Sequence, residues 1–110
     1  MVVVSIESTE EFDGYLKNSG DKLIVVDFTA VWCGPCKTMA PIFEELSNNA
    51  AYADVIFLKV DVDKCEEVST KSGVQCMPTF HFYRNGSRVD YFSGANQATL
   101  KKKLAELTSA

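Results

Sequence analysis

Leu23-Ile24-Val25-Val26-Asp27-Phe28-Thr29 is a near-continuous apolar run, followed almost at once by Trp32-Cys33-Gly34-Pro35-Cys36-Lys37. A run of that length and β-branched content reads as a central strand buried on both faces. Pro35 fits the first turn of a helix, where its missing N–H costs nothing. Met39, Phe43, Leu46 and Ala50 then mark one helical face over about four turns, so the two cysteines fall at a strand-to-helix junction. Pro41 lies inside that helix and is expected to kink it without ending it. Orphan amides and the helix macrodipole place partial positive charge near Cys33, which favours its thiolate. Cys36, three residues on, faces Cys33 across one turn at disulfide reach and is expected to sit deeper. Such unequal thiols form a working pair, in which one attacks and the other resolves the mixed disulfide. CxxC alone is a weak signal. At the junction of a βαβ unit it is a strong one.

The flanking sequence supplies that unit. Residues 2–6 are β-branched and short, a strand candidate. Ser8-Thr9-Glu10-Glu11 reads as a capping box opening a helix whose apolar face is Phe12, Tyr15 and Leu16, ended by Ser19-Gly20. Residues 55–62 form another buried strand. Asp63-Lys64-Cys65-Glu66 reads as the cap of a short helix ending near Gly73. Residues 79–84 and 87–92 alternate around Asn85-Gly86, a strong hairpin signal. Leu100, Leu104 and Leu107 mark a C-terminal amphipathic helix, with Lys101-Lys102-Lys103 on its solvated side. The order predicts an α/β chain: a mixed, roughly five-stranded sheet with four helices on both faces, residues 1–110 making a single domain.

Composition narrows the function. The chain has 110 residues, 46% hydrophobic and 24% charged, with a net charge of −4. This is the make-up of an ordinary globular protein, large enough to fold without a metal or disulfide staple. Its acidity argues against nucleic acid or an anionic membrane as the main partner. The first residues lack the basic start and apolar core of a secretory leader, and no apolar run approaches the roughly 20 residues that span a bilayer. A cytoplasmic protein with reduced thiols is expected. Four cysteines, at 33, 36, 65 and 76, are too few for a secreted disulfide scaffold. A structural zinc site wants two closely spaced pairs, and ten residues separate Cys65 from Cys76, so no metal is expected.

Asp27 interrupts the apolar strand. Burial disfavours its charged form and raises its pKa. Two readings stand: a general base that takes the Cys36 proton through water, or a structural acid held by Lys59 on the neighbouring strand. His81, between Phe80 and Phe82, reads as a sheet-face side chain. Trp32 is either a wall of a binding surface or a core aromatic. Cys65 reads as a small buried hydrophobe. Cys76, next to Met77-Pro78, reads as an exposed thiol on the rim of the site, able to link two otherwise monomeric chains and act as a regulatory thiol.

The chain resembles the thioredoxin family over essentially its whole length. The matching pieces are Val25-Val26-Asp27-Phe28, Trp32-Cys33-Gly34-Pro35-Cys36-Lys37, Met77-Pro78-Thr79-Phe80 and Gly94-Ala95. The resemblance implies a protein-disulfide reductase that maintains cell redox homeostasis, with Cys33 as nucleophile and Cys36 as resolving thiol. It favours Asp27 as the acid/base, tuned by Lys59. It further implies a cis bond before Pro78 and a shallow substrate groove formed by Trp32, Gly34, Pro35, Met77, Pro78, Gly94 and Ala95, in which the Met77 backbone pairs with the client chain. No bound cofactor is implied beyond the redox-active disulfide; NADPH and FAD belong to the partner, a thioredoxin reductase. Implied clients are peroxiredoxins, ribonucleotide reductase and methionine sulfoxide reductase. The competing class is a binding module whose redox state acts as a switch; disulfide reduction on a model protein separates the two.

Overall fold

The computed structural model describes residues 2–109. Its elements in chain order are β1 (Val3–Ser5), α1 (Thr9–Asn18), β2 (Ile24–Thr29), α2 (Gly34–Ser47), β3 (Ile56–Asp61), α3 (Glu66–Lys71), β4 (Thr79–Arg84), β5 (Ser87–Ser93) and α4 (Gln97–Thr108). The sheet order is β1-β3-β2-β4-β5. β1, β3 and β2 run parallel, while β4 is antiparallel to β2 and β5 antiparallel to β4. β2 is central and buried along its whole length, which explains its unbroken apolar reading.

Alternation along the strands divides the interior in two. Val25, Phe57, Phe80 and Phe82 meet Met39, Phe43 and Leu46 of α2 and Leu100 and Leu104 of α4. On the other face Ile24, Val26, Phe28, Leu58 and Tyr83 meet Phe12 of α1, Cys65 at the cap of α3 and Val68 within it. The turn between β4 and β5 has φ of 56° at Asn85 and 80° at Gly86, the paired positive angles that make Asn-Gly a hairpin former. Further along this hairpin Phe82 opposes Asp90 and Tyr83 opposes Arg88, so Val89 is an extra, bulged residue on β5.

Three local expectations are corrected. Ala50 does not continue the face of α2: the helix stops at Ser47, and Ala50 begins a 3-10 turn in which Asn49 Oδ1 accepts the Ala51 N–H at 2.9 Å. The Asn49 side chain offers this backbone N–H an alternative partner at the point where the helix ends. The carboxylate that opens the way to α3 is Asp61, whose Oδ1 accepts the N–H groups of Asp63 and Lys64 at 2.9 and 3.3 Å. Asp63 is engaged elsewhere. In the capping box, Ser8 Oγ accepts the Glu11 N–H at 3.1 Å, but the Glu11 carboxylate reaches the amide of Glu7, outside the first turn.

Candidate active site

Cys33 is the N-cap residue of α2. Its extended backbone (φ −91°, ψ 113°) turns its sulfur back over the first turn, where Sγ accepts the Cys36 N–H at 3.2 Å. That amide is one of the helix's orphan donors, and a donor aimed at sulfur stabilises negative charge there. Cys33 and Cys36 are joined as a disulfide, with Cα atoms 5.3 Å apart. In this oxidised form the expected contrast in depth is narrow, with 5% of Cys33 and 3% of Cys36 exposed. Both pack on Ala30 against Val62 and Met77, which cover the two sulfurs alike.

Around the pair lies an open surface. Trp32 is 65% exposed, which excludes a core role, and its Nε1 donates to Asp63 Oδ2 at 2.8 Å. Gly34, Pro35, Gly94 and Ala95 are exposed, Met77 is half-buried and Pro78 is buried. The Met77–Pro78 bond is cis, and the Met77 carbonyl oxygen is 3.7 Å from Cys33 Sγ. Gly94, with φ of 102°, donates its N–H to Pro78 O at 2.8 Å, drawing the end of β5 to the cis bond. Pro78, Gly94, Met77 and Cys33 are therefore linked by direct contacts.

Asp27 enters from below. It pairs in register with Lys59 of β3 and Phe80 of β4, on the sheet face that α2 covers. Only 3% of it is exposed, and Oδ1 is the one buried side-chain oxygen or nitrogen without a partner among the described residues. Burial pushes its pKa up to about 7, against the pull of the Lys59 ammonium. A cleft of about 340 Å³ between α2 and the β1–β3 edge is walled by Cys36, Ala40 and Lys59. The remaining thiols are separate from the pair: Cys65 is buried and donates to Ile6 O at 3.3 Å, while Cys76 is exposed. Among the described residues no three His, Cys, Asp or Glu side chains converge as a metal site requires, and no helix is long and apolar enough to cross a membrane.

A family model for thioredoxin matches residues 3–106. The chain is 58% identical to thioredoxin of Ictalurus punctatus over 94% of its own length and 96% of the relative's. It is 50% identical to thioredoxin of Homo sapiens, covering 96% and 99%. The chain belongs to the thioredoxin family. Solved thioredoxins superpose on it closely: that of Malassezia sympodialis with a TM-score of 0.92, 38% identity and coverage of 99% and 96%, and that of Plasmodium falciparum with 0.87, 44%, 94% and 97%. Thioredoxins are protein-disulfide oxidoreductases, and the redox-active disulfide of the family is in place in this chain. The family acts on disulfide-bearing client proteins, with thioredoxin reductase as its usual reductant.

Within this thioredoxin frame Asp63 has a role its place in the sequence does not announce. Asp63 resembles a helix cap by spacing, yet it holds the indole of Trp32 across the mouth of the site. A carboxylate 31 residues from a tryptophan gives no local pattern, so only the parallel β2–β3 pairing reveals the contact.

Proposed function

We propose that residues 1–110 act as one unit that reduces client disulfides with Cys33 as nucleophile and Cys36 as resolving thiol. The Cys33 thiolate attacks one sulfur of the client disulfide; a Cys33–client disulfide forms and the other client sulfur leaves as thiolate. Cys36 then loses its proton through water to the Asp27 carboxylate and attacks Cys33 Sγ. The Cys33–Cys36 bond forms, the second client thiolate leaves, and two electrons have passed to the client. The observation that carries this reading is the Cys36 N–H directed at Cys33 Sγ from the helix start, which favours charge on the outer sulfur and not the inner one. The partnerless Asp27 oxygen beneath α2 and the cleft reaching Cys36 and Lys59 support a proton path, with Lys59 tuning the acid.

Trp32, Gly34, Pro35, Met77, Pro78, Gly94 and Ala95 form the client groove, the Met77 backbone pairing with an extended client segment. Its partners are a thioredoxin reductase carrying FAD and using NADPH, and reductive or peroxide-consuming enzymes such as peroxiredoxins, ribonucleotide reductase and methionine sulfoxide reductase. The setting is the cytoplasm, where these disulfides are reopened. Trapping tests the roles: Cys36→Ser should accumulate a mixed disulfide with a client protein, and Cys33→Ser should form none. Equal trapping by both variants would reverse or remove the assignment.

A further inference from the structure

On the sheet face that carries α3 lies another cavity, of about 510 Å³. Cys76 and Ser93, the neighbours in sequence of Met77 and Gly94, are among its lining, which sets it next to the proposed client groove. Its floor is the imidazole of His81, and its far wall holds Lys71, Arg88 and Tyr91. This is a cationic pocket in a protein whose net charge is −4.

The bulge at Val89 assembles it. Three residues apart on a regular strand, Arg88 and Tyr91 would leave by opposite faces. The extra residue returns Arg88 to the face of Tyr91, opposite Tyr83, while Tyr91 opposes His81. The Arg88 guanidinium consequently lies 4.5 Å from the centre of the Tyr91 ring, braced by the aromatic face. His81 is 2% exposed and its Nδ1 is 3.2 Å from the Tyr83 hydroxyl. With the hydroxyl donating to Nδ1, the neutral ring carries its proton on Nε2. Among the described residues Nε2 has no hydrogen-bond partner, and the ring lines the cavity. No acid among the described residues lines the cavity; Asp90, beside Tyr91, pairs with Lys103 at 2.9 Å, and Asp13 reaches Lys71 at 3.8 Å in an exposed contact.

We propose that this cavity is a specificity subsite for an acidic side chain flanking the client's target cysteine, its carboxylate lying between the Arg88 guanidinium and the His81 N–H. A bidentate cation and a fixed ring N–H suit a carboxylate, and the low polarity around the buried imidazole strengthens its bond. The inference rests on the client groove proposed above and adds to it a charge requirement on the substrate chain.

The test uses synthetic peptides with one cysteine in a mixed disulfide with neutral 2-thiopyridine, Glu or Gln filling the positions on one side of the cysteine or the other. For at least one placement, kcat/KM should favour Glu by about fivefold at low salt, the advantage shrinking as salt is added. Arg88→Gln should remove the advantage and Arg88→Glu should reverse it, both at one exposed position where folding is not at stake. Reduction of uncharged 2,2′-dithiodipyridine by these variants should be unchanged. Equal rates for Glu and Gln in both placements, a preference surviving Arg88→Glu, or a parallel loss with dithiodipyridine would each overturn the subsite. If the wild-type protein fails to reduce dithiodipyridine, the dithiol reading fails, and the subsite with it.

Discussion

Asp27 on β2 and His81 on β4 lie one residue out of register on neighbouring central strands, and their side chains leave by opposite faces of the sheet. Both are buried ionisable groups whose neutral forms the fold prefers, one an acid and one a base. Burial raises Asp27 from 3.8 to about 7, opposed by Lys59. Burial, helped by Arg88, lowers His81 from 6.5 to about 4.

These shifts give opposite pH slopes to stability. Between pH 3.8 and 7 the folded state keeps an Asp27 proton that the unfolded chain releases, so stability falls as pH rises. Between pH 6.5 and 4 the unfolded chain takes a His81 proton that the folded state refuses, so stability falls as pH drops. Each slope is at most about 1.4 kcal/mol per pH unit, and they oppose one another where the windows overlap. Urea unfolding across this range should show Asp27→Asn gaining stability over wild type as pH rises, and His81→Phe gaining it as pH falls. Difference curves that are flat for both variants would refute the pairing.

Asp27→Asn should also slow the reaction while sparing the fold. The Cys36 proton then has no relay, and reduction of a protein disulfide should fall by about tenfold to a hundredfold. The pH–rate profile should lose the limb centred near 7 that the wild-type carboxyl supplies. A variant that retains this limb would assign it to another group.

Asp63→Ala frees the Trp32 indole. The bond is exposed, so global stability should change by less than about 1 kcal/mol. The chain has one tryptophan, which makes the readout clean: emission should shift and anisotropy fall. An unchanged spectrum would mean that the ring is held by packing alone.

The two free thiols should separate by rate. Alkylation of the oxidised protein should label Cys76 first, because Cys65 is buried and its thiol is pushed up by burial and by the acids Glu7 and Asp61. A doubled-mass band on non-reducing gels should persist without Cys33 and Cys36 and disappear with Cys76→Ser. Rapid labelling of Cys65 would place it at the surface and contradict its bond to Ile6 O.

What could be read from sequence was local. β2 declared itself through an unbroken apolar run, the hairpin through Asn85-Gly86, and the dithiol through its place between strand and helix. Asp27 stood out because a charge in such a run has few explanations. Partner choice across the chain left no pattern: the Asp63–Trp32 bond, the neutral His81 above Tyr83 and the early stop of α2 at Asn48-Asn49 all depend on what folding brings alongside. The bulge at Val89 was equally silent, because alternation in β5 reads as regular until its pairing with β4 is known.

That bulge has a second consequence, at the rim of the sheet. A long, flat outer strand offers its unpaired backbone to any other extended chain, and so invites aggregation. Here one outer strand, Val3–Ser5, is only three residues long, and the other, Ser87–Ser93, is bent out of regular register at Val89. A protein that handles open, disulfide-bearing chains thus discourages strand addition along both edges. The groove proposed at Met77 then remains the place for an extended client to pair, next to the disulfide that could release it.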